Sequence, residues 1–164
     1  MTGQHEIKLE KIVSGGQTGA DRAALDVAIA LKLATGGWVP QGRRAEDGHI
    51  PARYAGLVET DTEAYEQRTA LNVRDSAATL IFSFGEPTGG TALTLKLARN
   101  SGKPHLAVDL EVTPPDVAAA RVREWLAQTG VRVLNVAGPR ASSEPRIAAA
   151  VTSVLSAALG ASDR

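Results

Sequence analysis

Residues 11–31, KIVSGGQTGADRAALDVAIAL, decide the fold class of this chain. The short apolar run at residues 11–13 is followed at once by a turn of small and polar residues, three of which are glycines. Apolar residues then recur from Ala20 to Leu31 at offsets of 0, 4, 7, 8 and 11, the spacing of one helix face. A strand, a glycine turn and a helix in this order predict the first half of a parallel βαβ unit.

The remainder of the chain repeats this alternation of strands and helices. Further strands are predicted at residues 38–39, 78–84, 105–108 and 131–136. Further helices are predicted from the capping-box pattern 60–63 to residue 75, from about 91 to 100, from a cap at Thr113 to Gly130, and over the apolar stripe 147–158. We expect Gly36 and Gly37 to end the first helix, and residues 40–59 to form a long functional loop.

The alternation predicts a Rossmann-like α/β fold, in which a mostly parallel central sheet lies between two helical layers in a three-layer α/β/α arrangement. With 164 residues the chain is large enough for one buried core, and we expect residues 1–164 to form a single ligand-binding domain. Ligands of such sheets bind at the loops that follow the carboxyl ends of the strands. Functional residues are therefore expected in those loops.

Composition and charge exclude several classes of function. The 18 basic and 18 acidic residues balance to a formal net charge of zero, which argues against nucleic acid as a partner. The chain has no cysteine for disulfides or thiolate metal sites, and its three histidines lack metal-ligand spacing. We therefore expect no protein-ligated metal. Because residues 1–10 are polar and no apolar run approaches about 20 residues, we also expect a cytoplasmic protein without membrane contact.

Three glycine-rich loops follow predicted strands and are candidates for phosphate binding. Glycines in the first, residues 14–22, let backbone N–H groups approach an anion at a helix start; the alternative is a tight turn capped by Asp21. The second, PTGGT at residues 87–91, has the same place after a strand. Helix capping explains the serines of the third loop, residues 135–143, but not Asn135 or Arg140.

Two further groups of polar residues have both a structural and a functional interpretation. Arg43 and Glu46 belong to the long loop and suit either ligand contact or a solvated surface. Arg68 and Asn72 lie four residues apart, on one face of a predicted helix, and that face is either wet or part of a site.

Five motifs together resemble the molybdenum cofactor carrier family. They are SGGQTGADRAALDVA (14–28), GWVPQGRRAEDGHIP (37–51), YEQRTALNVRDSAATLI (65–81), PTGGT (87–91) and NVAGPRASSEP (135–145). The resemblance implies a homo-oligomer, a dimer or tetramer, that stores molybdenum cofactor (a pterin carrying a phosphate) and passes it to a molybdoenzyme. By motif position, it implies contacts to this ligand from Gly15, Gly16, Gln17, Thr18, Gly19, Asp21, Arg22, Arg43, Glu46, Arg68, Asn72, Gly89, Gly90, Thr91 and Arg140.

The same resemblance extends to the LOG-type, "lysine decarboxylase-like" nucleotide phosphoribohydrolases, with one difference that concerns catalysis. Those enzymes read PGGxGTxxE, and their terminal Glu acts with an upstream Arg that Arg68 matches; here Thr94 stands in place of the acid. Because threonine does not ionise near neutral pH, hydrolysis is not expected. Phosphate binding survives the change. Two alternatives stay open: a phosphoribohydrolase using Asp21, Glu46 or Asp47, and a sensing domain for an ADP-ribose-like nucleotide.

Overall fold

A six-stranded, fully parallel sheet forms the centre of the computed structural model, which describes residues 6–160. Its strands are β1 (Lys11–Val13), β2 (Ala34–Val39), β5 (Leu57–Glu59), β6 (Ala78–Ser83), β7 (His105–Asp109) and β8 (Val133–Ala137). They are arranged in the order β5-β2-β1-β8-β6-β7, so that β1, β8 and β6 are neighbours in the middle. The prediction of a parallel central sheet is confirmed.

Two layers of helices cover the sheet. The helices are α1 (Ala20–Ala30), α2 (Tyr65–Asp75), α3 (Gly89–Asn100), α4 (Pro115–Thr129) and α5 (Ile147–Gly160). Helix α5 packs against both α1 and α4, whereas α2 packs against α3. The larger core lies under α1, α4 and α5, where many alanines allow these helices a close approach to the apolar side chains of β1, β6 and β8. The predicted three-layer α/β/α arrangement is confirmed.

The prediction that Gly36 and Gly37 end the first helix was wrong, because this glycine pair lies inside β2. Helix α1 already ends at Ala30, and Lys32 follows with a φ of +62°. A Cβ atom on Gly37 would lie 2.2 Å from the carbonyl oxygen of Ser14, so glycine is required where the start of the first loop lies beside this strand. The pair therefore marks a close backbone approach.

The helix caps expected from side-chain patterns were also wrong. Helix α2 begins at Tyr65 rather than within residues 60–63, and its N-cap residue Ala64 makes no side-chain cap. The hydroxyl of Thr62 accepts a hydrogen bond from Ala64 N instead, and Ala64 itself is extended. Helix α4 begins after Pro114, again without the predicted side-chain cap.

The segment 40–59, predicted as a loop, contains three short strands. A small antiparallel hairpin pairs β3 (Arg44–Ala45) with β4 (Gly48–His49), and β5 extends the central sheet at one edge. Ile50 and Tyr54 are buried with Val39 in a second, smaller apolar cluster that holds this segment against the domain. Within residues 6–160, no helix combines the length and apolar character needed to cross a membrane.

Candidate functional site

The three glycine-rich loops converge because they follow the three adjacent central strands β1, β6 and β8. An open cavity of about 590 Å³ lies where they meet, between the starts of α2 and α3. Its walls come from the first loop (Gly15, Gln17, Asp21), from α2 (Tyr65, Glu66, Arg68, Thr69, Asn72), from the start of α3 (Thr88, Gly89, Gly90, Thr91, Leu93, Thr94), and from β8 with the third loop (Asn135, Val136, Ala137, Gly138, Pro139, Arg140, Ser142, Ser143).

The first turn of α3 opens into this cavity and is suited to bind an anion. Gly89 has a φ of +53° and is followed by Gly90 in the helix, so consecutive N–H groups line a concave stretch of backbone. The N–H groups of Gly89 and Gly90 have no carbonyl acceptor within the helix, whereas those of Thr91 and Ala92 bond to the carbonyl oxygen of Thr88, and Thr88 provides no side-chain cap. A Cβ atom on either glycine would meet nothing within 4 Å, so a ligand has room to approach.

Two arginines add positive charge beside this helix start. Arg140 lies at the cavity, and no ion pair to a described residue holds its side chain. Its guanidinium lies 5.4 Å from the ring centre of Tyr65, and that of Arg68 lies 5.3 Å from the same ring. Cation–π contacts of this kind hold the two guanidinium groups at the cavity wall. Arg68 also donates from Nε to the carbonyl oxygen of Tyr65 and from Nη1 to Asp21, so Arg140 is the arginine with more N–H donors open to a ligand.

A buried ion pair joins α1 to α2 at the cavity. Arg68 Nη1 lies 3.2 Å from Asp21 Oδ2, and the two residues are 8% and 6% exposed. Burial raises the pKa of the Asp21 carboxyl, although the charge of Arg68 and the hydrogen bond from Gln17 N act in the opposite direction. The second oxygen of Asp21 accepts no hydrogen bond from a described residue.

The first loop, in contrast to the second, uses most of its N–H groups internally. Donors to acceptors within the protein are the backbone nitrogens of Gly16, Gln17, Thr18 and Ala20. Its glycines are required for close packing instead. A Cβ on Gly15 would lie 1.5 Å from Arg68 Nη1, and one on Gly19 would lie 2.5 Å from the carbonyl oxygen of Pro139. The loop therefore positions the buried arginine and the third loop.

The β3–β4 hairpin fastens the first and third loops together through Glu46. Its carboxylate accepts hydrogen bonds from the hydroxyl of Thr18 and from both the hydroxyl (2.5 Å) and the N–H (3.2 Å) of Ser142. These hydrogen bonds lower the pKa of Glu46. The next residue, Asp47, forms a bidentate ion pair with Arg22, which lowers the pKa of Asp47.

The structure separates the residues expected to contact a ligand into two groups. Those that line the cavity are Gly15, Gln17, Asp21, Arg68, Asn72, Gly89, Gly90, Thr91 and Arg140. Those outside its lining are Gly16, Thr18, Gly19, Arg22, Arg43 and Glu46. Arg43 donates to the carbonyl oxygens of residues 50 and 51, and Asn72 forms two hydrogen bonds with the backbone of Trp38.

Sequence reasoning missed Tyr65, which lies one helical turn before Arg68 and contacts both cavity arginines. The i, i+3 spacing from Arg68 is the signal that could have identified it. Asn135 also lines the cavity from β8, where its Nδ2 lies 3.4 Å from Thr79 Oγ1, so the floor between the two strands is polar. Among residues 6–160, no group of three or more His, Asp or Glu side chains is placed to hold a metal ion.

Comparison with known proteins relates this architecture to one family. The model of the circularly permutated YpsA SLOG family (cpYpsA) matches residues 12–159. The solved structure of the "putative molybdenum carrier protein" from Syntrophus aciditrophicus SB superposes with a TM-score of 0.90 and 47% sequence identity. That match covers 93% of this chain and 96% of the other. A search of curated proteins gave no match. The chain belongs to the circularly permutated YpsA SLOG family.

Proposed function

We propose that this protein binds molybdenum cofactor in the cavity and carries it, with the phosphate of the cofactor at the first turn of α3. The observation that carries the proposal is the open backbone at Gly89 and Gly90, with N–H groups that no helix partner or cap occupies. Arg140, which has no ion pair within the described chain, adds a positive charge to the same cavity. An anion at this position would gain from both.

The size and polarity of the cavity support a ligand larger than phosphate alone. A volume of about 590 Å³ is within the usual range for small-molecule sites, roughly 300–1,000 Å³. Beyond the helix start, the cavity offers Arg68, Asp21 and Asn135 for hydrogen bonds to a heterocycle. The name of the Syntrophus relative supports the choice of a molybdenum-containing ligand. Delivery to a molybdoenzyme and assembly as a homo-oligomer belong to the same proposal.

The position that carries the acid in the LOG-type enzymes supports binding without hydrolysis. Thr94 lines the cavity, but its hydroxyl donates to the carbonyl oxygen of Gly90 at 2.9 Å, one turn earlier in α3. A hydroxyl in this position does not transfer a proton near neutral pH. Of the carboxylates considered as substitutes, Asp21 lines the cavity, whereas Glu46 and Asp47 do not. Among these three carboxylates, Asp21 is therefore the one on which a second candidate function, nucleotide phosphoribohydrolase, would depend; Glu66 of α2 also lines the cavity.

Equilibrium binding of freshly released molybdenum cofactor, with AMP and ADP-ribose as competitors, tests the carrier proposal. We expect a dissociation constant of about 1 µM or lower, roughly −8 kcal/mol, and no displacement by equimolar nucleotide. The same samples are assayed for free base and ribose 5-phosphate. Nucleotide binding without cofactor binding would refute the carrier role, and release of the base would favour the hydrolase.

A further inference from the structure

The side-chain amide of Gln17 contains a buried hydrogen-bond donor with no partner. Gln17 lines the cavity and is 5% exposed. Its Oε1 accepts hydrogen bonds from Thr18 N at 3.1 Å and from Glu46 N at 2.8 Å. Its Nε2 is buried and is the one side-chain polar atom among the described residues that combines burial with the lack of any hydrogen bond.

The orientation of this amide is determined by its surroundings. Rotating the amide by 180° would place its NH₂ group against two backbone N–H groups, so that donors would face donors on that side. One of those N–H groups belongs to Glu46, which the hairpin holds in place through Thr18 and Ser142. Gln17 therefore presents a donor, and not an acceptor, to the remaining space around it.

A buried donor without a partner is unfavourable in the free protein and becomes favourable once an acceptor reaches it. Arg68 and the N–H groups of α3 also offer donors to the cavity, and Gln17 contacts Asp21 through its backbone N–H. A ligand that places an oxygen beside Gln17 would supply the acceptor that Nε2 lacks.

We propose that Gln17 is a specificity-determining residue: oriented by the β3–β4 hairpin, its Nε2 donates to an acceptor oxygen of the bound ligand. This inference rests on the proposed ligand-binding function of the cavity. Two oxygens have the required chemistry, one on the phosphate and one on the carbonyl of a pterin-like heterocycle. A ligand that places an amino group at the same point meets a second donor and is rejected.

Gln17→Glu tests this inference with a nearly unchanged side-chain shape. The Glu carboxylate still accepts from Thr18 N and Glu46 N, but an anionic oxygen replaces the donor. We expect the affinity for molybdenum cofactor to fall at least about 30-fold, because a hydrogen bond is lost and repulsion between the new carboxylate and the ligand oxygen is added. Gln128→Glu, the same change at an exposed site on α4, is the matched control and should bind as the wild type does.

Inorganic phosphate and a phosphate-free pterin, titrated separately, distinguish the two oxygens: the probe whose affinity Gln17→Glu lowers carries the acceptor. A variant that binds the cofactor within threefold of the wild type would overturn the inference.

A second measurement keeps the test independent of how well the variant folds. In the wild type, the side-chain NH₂ signals of Gln17 in an ¹⁵N–¹H NMR spectrum should shift when ligand is added, as a new acceptor reaches Nε2. If AMP binds but molybdenum cofactor does not, the carrier proposal is refuted. The role of Gln17 then still predicts that the Gln17 NH₂ signals shift when AMP is added. Signals that stay unchanged with every ligand that binds would overturn the role of Gln17.

Discussion

Replacing Gly90 with Asp is expected to lower the affinity for molybdenum cofactor at least about 100-fold while the protein stays folded. A carboxylate would project from the first turn of α3 into the space proposed for the phosphate, where a Cβ meets nothing within 4 Å. Two unit charges about 5 Å apart repel by roughly 3 kcal/mol at an effective dielectric constant of about 20, which corresponds to more than 100-fold in affinity. The same carboxylate interacts favourably with the helix N-terminus, so Tm should not fall.

Gly90→Asn is the matched control, with nearly the same shape and no charge. It should retain most of the affinity, losing less than tenfold, and both variants are compared by titration calorimetry and thermal unfolding. Equal losses in the Asp and Asn variants would mean that the space at Gly90 matters and the negative charge does not. Unchanged affinity in Gly90→Asp would place the phosphate elsewhere.

Replacing Arg68 with Met is expected to reduce the free energy of unfolding by about 3 kcal/mol at neutral pH, since removing one partner of a buried ion pair leaves an unpaired charge. Met keeps much of the aliphatic packing of Arg68 beside Gly15, so the loss reports mainly on Asp21. Urea unfolding of the wild type and the variant measures the difference.

The loss in Arg68→Met should depend on pH in a defined direction. Burial already raises the pKa of Asp21 above its ordinary value, and removing Arg68 removes the largest influence that opposes this rise. A carboxyl whose pKa is raised in the folded state destabilises the fold when it is ionised. The loss of unfolding free energy in Arg68→Met should therefore grow as pH rises through the folded-state pKa of Asp21. It should disappear as pH falls to the pKa of Asp in the unfolded chain, about 3.9. Adding Asp21→Asn should recover most of the stability at pH 7. A loss that is the same from pH 4 to pH 8 would contradict this account.

The positions of the central strands and the convergence of the three glycine loops could be predicted from the sequence. Parallel strands place their carboxyl ends at one edge of the sheet, so glycine turns after β1, β6 and β8 had to meet there. The edge strand β5 and the β3–β4 hairpin escaped prediction because strands of two or three residues are too short to show an alternating pattern. The predicted cap of α2 failed because the Thr62 hydroxyl accepts a hydrogen bond from Ala64 N outside the helix, and α4 begins after Pro114 without a side-chain cap.

The roles of the individual site residues depended on contacts distant in sequence. Arg68 and Asp21 are 47 positions apart, and only the packing of α2 against the first loop brings them together. The glycine-rich loop at residues 14–22 was a candidate for phosphate binding, yet most N–H groups there bond within the protein, and those of Gly89 and Gly90 are the more open. Hydrogen-bond partners of this kind are set by tertiary structure and leave no local signal.

A crystal structure of the protein with molybdenum cofactor bound tests the central claim most directly, because anomalous scattering locates the molybdenum independently of the surrounding density. We predict that the cofactor occupies the cavity, with its phosphate against the N–H groups of Gly89 and Gly90 and within reach of Arg140. A cofactor bound outside the cavity, or a phosphate held by the N–H groups of the first loop instead, would contradict the proposed mode of binding.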